Sequence, residues 1–172
     1  MTRAVVAYAT KHGSTADIAE EIGRVLREQD IDTDVSPAHA IRSIDAYDFV
    51  VVGSAVYMFR WQGEAVDFLK RFDEPLRHRP TWLFASGPTG GSPDAEYKLA
   101  EILAEQPAPP GNVRKLAERI GAREYRTFGG RAGPEMGGVF ERWVPKGDWR
   151  DFPSIRAWAT DIALTAPVLE PA

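Results

Sequence analysis

The feature that most constrains this chain is a short apolar run followed at once by a polar loop and an amphipathic helix. The run over residues 5–9 reads VVAYA and contains no turn residue. Its length and lack of alternation are typical of a strand buried on both faces of a parallel sheet. Beyond the loop, apolar residues recur at spacings of three and four, as in an amphipathic helix. Residues 3–15 therefore predict a strand, a tight polar loop and a helix start.

The polar loop has the composition of a phosphate-binding loop. A helix start carries unpaired backbone N–H groups and a partial positive charge, and a loop of glycine and hydroxyl residues before it can wrap a phosphate. Here Gly13 lets the backbone approach, and Thr10, Ser14 and Thr15 add hydroxyl groups. The alternative is that Ser14 or Thr15 only caps the helix. The loop has neither the nucleoside-triphosphate pattern G-x-x-x-x-G-K-[ST] nor the dinucleotide pattern G-x-G-x-x-G.

The rest of the chain alternates strands and helices, without repeats or a domain linker. Further strands are predicted at 31–35, 49–52, 81–85 and 124–128, and helices at about 14–29, 64–77, 94–106, 112–120 and from Pro153 onward. This alternation predicts one α/β domain over residues 1–172, a doubly wound five-stranded parallel sheet with helices on both faces. Ligands of such sheets bind at the carboxyl ends of the strands. The loops at 10–15, 54–63 and 86–91 converge there if strands one, three and four are neighbours.

The loops after the third and fourth strands are the other candidates for ligand contact. Residues 55–63 read AVYMFRWQG, and exposed loops rarely carry so many large apolar side chains unless they contact something. A flat aromatic ligand would suit Tyr57 and Trp61, whereas core packing is the alternative, above all for Met58 and Phe59. Residues 86–93 read SGPTGGSP, which fits either close approach of backbone groups to a ligand ring or an ordinary turn.

Residues 131–151 form a long segment without regular periodicity, predicted to be a functional or docking loop. Loops of this length are usually functional or disordered, and the aromatic residues here argue against disorder. Its aromatic and basic residues fit a lid, a docking surface or contact with a membrane surface, and the alternative is a loop folded back on the domain. The basic residues are Arg131, Arg142, Lys146 and Arg150.

Composition excludes several classes of function. The chain has no cysteine, and His12, His39 and His78 lie far apart in sequence, so we expect no metal site, iron–sulfur cluster or thiolate catalysis. The net charge of −4 gives no reason to expect nucleic acid as a partner. No apolar run approaches the roughly 20 residues that span a bilayer, and the first run is too short for a signal peptide. We therefore expect a cytoplasmic protein, with peripheral membrane contact left open.

The order of these motifs resembles that of flavodoxin-like FMN proteins, in particular the family that includes menaquinone-dependent protoporphyrinogen oxidases. The T-x-H-G-x-T pattern at 10–15 resembles the loop that holds the FMN phosphate in flavodoxin-like proteins generally. The segments AVYMFRWQG and SGPTGG, the late GGR and the C-terminal W-R-D-F point to the narrower family. The resemblance covers nearly the whole chain and implies a flavodoxin fold, with strand order 2-1-3-4-5, and noncovalently bound FMN.

The resemblance also implies which residues bind the cofactor. The phosphate would be held by Thr10, His12 through its backbone N–H, Gly13, Ser14 and Thr15. The isoalloxazine ring would be flanked by Ala55, Val56, Tyr57, Trp61, Gly87, Thr89 and Gly90. No catalytic side chain is implied, because no general acid or base stands out and the flavin itself carries the reaction.

Enzymes of this family pass electrons from protoporphyrinogen to a quinone, so the resemblance implies an FMN-dependent oxidoreductase whose partner is a quinone or a redox protein. Basic groups of 131–151 could meet the porphyrin propionates. The alternative is a flavodoxin-type electron carrier without its own substrate. Carriers tend to place acidic residues around the flavin, whereas the only charge in 55–63 is Arg60, which should make the second reduction potential less negative. A phospho-receiver is the least supported alternative, because strands one and three end without the required aspartate.

Overall fold

The computed structural model describes residues 1–57, 59–87, 108–132 and 147–167. The strands are β1 (Arg3–Ala9), β2 (Asp32–Pro37), β3 (Phe49–Tyr57), β4 (Arg60–Trp61), β5 (Thr81–Gly87), β6 (Glu124–Gly129), β7 (Arg131–Ala132) and β8 (Gly147–Asp148). The helices are α1 (Ser14–Glu28), α2 (Gly63–Arg71), α3 (Asp73–Arg77), α4 (Gly111–Ile120) and α5 (Phe152–Thr165), with a single 3₁₀ turn at Ala38–Ala40.

Five parallel strands form the central sheet in the order β2-β1-β3-β5-β6. In the count of parallel strands this is 2-1-3-4-5, so the predicted doubly wound fold is confirmed. Val5 of β1 lies opposite Asp34 of β2 on one side and Val50 of β3 on the other. The carboxyl ends of β1, β3 and β5 are therefore adjacent along one edge of the sheet.

Alternate residues of the central strands supply two apolar layers. One face packs against α1 and α5 through Ala4, Val6, Phe49, Val51, Trp82 and Phe84. The opposite face packs against α2, α3 and α4 through Val5, Ala7, Val50, Val52 and Leu83. Because both faces are covered, successive residues of each central strand are apolar rather than alternating with polar ones.

The helices follow the predicted positions with one break. The last helix, predicted from Pro153 onward, buries Ile155, Trp158, Ile162 and Ala163 along one side, and the indole N–H of Trp158 donates to Glu124 Oε2 at 2.9 Å. The single helix expected over 64–77 is instead α2 and α3, separated at Phe72. Pro75 explains the break, because proline lacks the N–H that would donate to the Arg71 carbonyl and its ring clashes there.

Some predictions fall outside the described residues. These are the helix at 94–106, the roles of Thr89 and Gly90 and the middle of the segment 131–151. That residues 1–172 form one domain stays a prediction. Among the helices that are described, none combines the length and the apolar character needed to span a membrane.

Candidate functional site

The loop between β1 and α1 places a helix start at the carboxyl edge of the sheet. Gly13 is the N-cap residue with φ 88°, a left-handed conformation that glycine adopts without steric strain. Its N–H donates to Thr10 Oγ1 at 2.8 Å, which folds the loop back on itself. Apart from its chain neighbours, no described atom lies within 4 Å of the position a Gly13 Cβ would take. The loop therefore borders open space at the helix end.

The first turn of α1 presents backbone donors to that space. The first helical hydrogen bond runs from Asp17 N to Gly13 O, at 3.1 Å. No side chain in the described part of the chain caps this helix, so the N–H groups of Ser14, Thr15 and Ala16 point out of its positive end. The alternative that Ser14 or Thr15 acts as the cap is wrong, because the N-cap is Gly13.

The hydroxyl groups of the loop join it to two other strand ends. Ser14 Oγ accepts a hydrogen bond from Arg131 N at 3.0 Å, which leaves its own hydrogen available for donation. Thr15 is fully buried, and its Oγ1 lies 2.6 Å from Ser86 Oγ, at the end of β5. The Ser14 hydroxyl can therefore still donate to a phosphate, as predicted. The Thr15 hydroxyl attaches the loop to β5.

Gly130, just after β6, lies next to Gly87 and Ser14 at the same edge of the sheet. Its N–H donates to the Gly87 carbonyl at 2.6 Å. A Cβ on Gly130 would lie 3.1 Å from Gly87 O and 3.4 Å from Ser14 Oγ, so only glycine fits without displacing a neighbour. A Cβ on Gly87 would in turn lie 3.9 Å from Val56 Cβ on β3. The ends of β1, β3, β5 and β6 therefore meet at one corner, as expected for the predicted convergence of loops.

The segment after the third strand differs from the loop that was predicted. β3 does not end at Gly53 and Ser54 but continues to Tyr57, and the chain then reverses into β4, so that Val56 pairs antiparallel with Trp61. Gly53 lies inside the strand because the Phe84 ring occupies its side-chain position, 2.0 Å from where a Cβ would stand. Glycine here makes room for an aromatic ring and does not mark a turn.

The aromatic residues of this hairpin divide into buried and exposed. Trp61 is only 3% exposed, and the side chain of Asn112 on α4 clamps it: Oδ1 accepts from Trp61 N at 3.3 Å, and Nδ2 donates to Trp61 O at 3.2 Å. Tyr57 is 38% exposed and Phe59 60%, the latter held at φ 59°, which is uncommon for a bulky residue. The hairpin therefore turns two aromatic rings outward and keeps the third in the core.

Lys11, which the sequence analysis did not single out, links the phosphate loop to this hairpin. Its ammonium nitrogen lies 3.5 Å from the centroid of the Tyr57 ring, a cation–π contact. Tyr57 is therefore next to the first loop, as a ring-flanking role requires. Trp61 is not presented to that surface, and its predicted role at the ring stays a prediction.

The two ends of the segment 131–151 are ordered and lie beside α1. β7 and β8 pair antiparallel, with Arg131 opposite Asp148, which corrects the expectation that the whole segment is irregular. Trp149 N donates to Gly130 O at 3.0 Å. Arg150 contacts Asp148 and Asp17, and its hydrogen bonds lower the pKa of Asp148 to about 2. No local signal pairs Arg150 with Asp17, since 133 residues separate them.

The corner fits the phosphate end of a flavin mononucleotide. A dianion is stabilised by outward backbone N–H groups, hydroxyl donors and the positive end of a helix, and each is present at the open space beside Gly13. Of the residues predicted to flank the ring, Ala55, Val56, Tyr57 and Gly87 line the neighbouring strand ends. The individual binding roles stay predictions.

The family-model comparison identifies this chain. Its residues 5–130 match the flavodoxin domain model, which covers most of the chain. The chain belongs to the flavodoxin domain family. FMN is the cofactor that membership of this family implies, in agreement with the prediction from the first loop.

Individual relatives are more distant. Protoporphyrinogen IX dehydrogenase (quinone) of Escherichia coli strain K12 is 22% identical over 133 residues, which cover 73% of this chain and 74% of that protein. A short-chain flavodoxin associated with a non-canonical PDU bacterial microcompartment is 17% identical, with a TM-score of 0.63 over 97% of this chain and 100% of that one. Flavodoxin 2 of Bacillus cereus is 20% identical, with a TM-score of 0.61 over 95% and 99%.

A further structural neighbour is a larger protein. Rubredoxin oxygen:oxidoreductase of Desulfovibrio gigas is 14% identical, with a TM-score of 0.61 over 96% of this chain. This chain spans 36% of that protein's length. At these identities the structural neighbours support the flavodoxin fold and no more.

Proposed function

We propose that this chain is an FMN-dependent oxidoreductase that passes electrons to a quinone, with protoporphyrinogen as the donor. The observation that carries the FMN part is the uncapped start of α1 beside Gly13, next to the exposed ring of Tyr57. The similarity to protoporphyrinogen IX dehydrogenase of Escherichia coli supports the choice of donor and acceptor. Peripheral membrane contact, which a membrane quinone would favour, is part of the same proposal.

One group of residues would bind the phosphate of the cofactor and another would contact its ring. Thr10, His12, Gly13, Ser14 and Thr15 would hold the phosphate, and the strand ends at Ala55, Val56, Tyr57 and Gly87 would border the ring, together with Thr89 and Gly90. When bound, FMN supplies one- and two-electron transfer, so the side chains need only bind and orient it. Trp61 would support the ring-binding hairpin from beneath, through its buried position.

The charge around the ring side of the site favours an enzyme over a low-potential carrier. Lys11 lies against Tyr57, and Arg60 is exposed on β4. Positive charge near the flavin stabilises its anionic reduced form by Coulomb attraction, which makes the second reduction potential less negative. Such a potential suits a flavin that delivers electrons to a quinone.

The test is a titration of the purified protein with FMN, followed by a turnover assay. We expect FMN fluorescence to be quenched and the melting temperature to rise, with riboflavin, which lacks the phosphate, binding more weakly. Protoporphyrinogen oxidation should then depend on added quinone. If FMN leaves both fluorescence and melting temperature unchanged, the proposed cofactor site is wrong; if FMN binds but no porphyrinogen is oxidised, only the substrate is wrong.

The basic residues of the segment 131–151 are proposed to meet the substrate. Porphyrin propionates would be bound by Arg131, Arg142 and Lys146, since arginine and lysine pair with carboxylates. Replacing all three by Gln should raise the KM for protoporphyrinogen, and FMN affinity is measured alongside because Arg131 adjoins the phosphate loop. An unchanged KM would remove these residues from the substrate site.

The second candidate is a flavodoxin-type electron carrier. It is favoured by one observation, that the chain covers 99–100% of the flavodoxins compared above. A carrier would bind FMN, reduce no quinone by itself and have a very low second reduction potential. Measuring that potential together with quinone-dependent turnover decides between the two candidates.

A further inference from the structure

Arg150 joins Asp17, in the first turn of α1, to Asp148 on β8. Its guanidinium donates to Asp17 Oδ2 at 2.7 Å and to Asp148 through Nε (2.8 Å) and Nη2 (2.6 Å). The side chain is only 11% exposed, and the guanidinium lies 5.2 Å from the centre of the Phe152 ring. Arginine is seldom buried to this extent without a paired acid, and here two acids and an aromatic ring hold its position.

Asp17 occupies a position that is favourable for the helix and unfavourable for a bound phosphate. It lies in the first turn of α1, four residues after Gly13, where a carboxylate stabilises the helix dipole. The same turn supplies the N–H groups proposed to bind the phosphate of FMN. A carboxylate there repels a phosphate dianion unless a cation neutralises it.

The region around Arg150 is also tied directly to the phosphate loop. Arg131 N donates to Ser14 Oγ at 3.0 Å, and Arg131 pairs across β7 and β8 with Asp148. Trp149 N donates to Gly130 O, and Gly130 in turn packs against Ser14. The end of the segment 131–151 thus adjoins the helix start, and Arg150 contacts Asp17 there directly.

We propose that Arg150 determines the specificity of this site for phosphorylated flavin by neutralising Asp17 at the start of α1. The inference rests on the proposed FMN site and deepens it. Arg150 is a positioning residue, because it acts through Asp17 and need not touch the phosphate. Without it, the carboxylate faces the phosphate uncompensated, and FMN loses its advantage over riboflavin.

A purely structural role for Arg150 leads to a different result. If Arg150 only held β8 in place, its removal would weaken FMN and riboflavin to the same extent. If it neutralises Asp17, its removal weakens FMN alone, and removing the Asp17 charge as well restores part of the affinity. The ratio of the two affinities separates the two roles.

The experiment compares dissociation constants for FMN and riboflavin, by fluorescence quenching, in the wild type, Arg150→Gln and Arg150→Gln/Asp17→Asn. We expect Arg150→Gln to weaken FMN about fivefold at low salt and to leave riboflavin unchanged. Adding Asp17→Asn should recover part of that loss, because the Asp148 carboxylate then still lacks its cation. The loss should also shrink at high salt, because ions screen the exposed Asp17 carboxylate.

A matched control is Arg77→Gln. Arg77 also bridges two carboxylates, Asp73 at 2.7 Å and Glu74 at 3.4 Å, and its loss changes the net charge equally. It lies on α3, just before β5 begins, and so at the opposite edge of the sheet from the phosphate loop. We expect this variant to keep the wild-type ratio of FMN to riboflavin affinity.

The outcomes separate failure of this inference from failure of the proposed function. If the wild type binds no FMN, the proposed site itself is wrong. If the wild type binds FMN but Arg150→Gln leaves the affinity ratio unchanged, or Asp17→Asn gives no recovery, the inference is overturned. Should Arg150→Gln alone not fold, the double variant Arg150→Gln/Asp17→Asn decides: unchanged riboflavin affinity with an affinity ratio within about twofold of wild type supports the inference, and a ratio about fivefold lower, or equal weakening of both flavins, overturns it.

Discussion

The phosphate loop and the β3–β4 hairpin both border the candidate site, yet their shapes have different origins. The turn of the loop is shaped by hydrogen bonds over three or four residues, Gly13 N to Thr10 Oγ1 and Asp17 N to Gly13 O, and the longer-range bonds of its hydroxyls attach it to neighbouring strands. The hairpin is shaped by distant residues, since Asn112 clamps Trp61 from 51 positions away and Phe84 fills the space at Gly53. A loop whose shape depends on neighbouring residues can be recognised in a sequence. Which aromatic residue of a hairpin is buried depends on tertiary packing and cannot be recognised in the same way.

The largest expected effect contrasts the two aromatic residues of the hairpin. Trp61→Ala should lower the free energy of unfolding of the FMN-free protein by about 3–5 kcal/mol, because it empties a buried site. Tyr57→Ala should change it by less than about 1 kcal/mol, because that ring is partly exposed, but should weaken FMN. Urea unfolding and FMN titration measure both. If Trp61→Ala keeps full stability and loses FMN binding, the indole is a ring-binding group and the division between the two residues is wrong.

A second contrast asks whether the phosphate loop depends on one backbone conformation. Gly13→Ala and Gly121→Ala each force a side chain into a left-handed conformation, φ 88° and φ 66°, and should each cost about 1–2 kcal/mol. Both positions have open space, so strain and not collision is the cause. Only Gly13→Ala should also weaken FMN, since Gly121 ends α4. Equal FMN affinity in the two variants would mean that the left-handed turn at Gly13 is not needed for the cofactor.

A third prediction concerns the helix that carries the phosphate loop. Glu21 of α1 is 13% exposed and accepts hydrogen bonds from Arg24 and from Arg156 of α5, which lower its pKa to about 2. Because the folded pKa is below the ordinary value, the ionised form stabilises the protein above about pH 4.5, and this is lost as pH falls toward 2. Glu21→Gln should cost about 1 kcal/mol at pH 7 and almost nothing near pH 2.

Urea unfolding of both proteins between pH 2 and pH 7 measures this difference. FMN affinity at pH 7 should stay unchanged, because the loop is held by its own hydrogen bonds and by those to Ser86 and Arg131, and not by the contact between α1 and α5. A difference in stability that is independent of pH would show that the Glu21 charge is not responsible. A loss of FMN affinity would show that the phosphate loop also depends on the contact between α1 and α5.

The difference between features set by neighbouring residues and features set by distant ones explains how much could be predicted from the sequence. The start of α1 and the left-handed Gly121 after α4 follow from local periodicity and flanking residues, whereas the strand order was implied only by the resemblance to flavodoxin-like proteins. The break at Phe72 also had a local cause, Pro75, but the helical spacing of apolar residues over 64–77 led to the prediction of a single helix. The extension of β3 past Gly53 and the contact of Arg150 with Asp17 had none, because each depends on residues distant in sequence.

The smallest expected effect tests which of the two regions sets the charge at the flavin ring. Lys11 belongs to the phosphate loop and lies 3.5 Å from the Tyr57 ring centroid, whereas Arg60 belongs to the hairpin and is exposed to solvent. Lys11→Gln should make the second reduction potential of bound FMN more negative by about 40 mV, and Arg60→Gln by about 20 mV, because solvent screens Arg60 more. Spectroelectrochemistry measures both, with Arg77→Gln as a control of equal charge. If Arg60→Gln gives the larger shift, the hairpin and not the phosphate loop sets the potential.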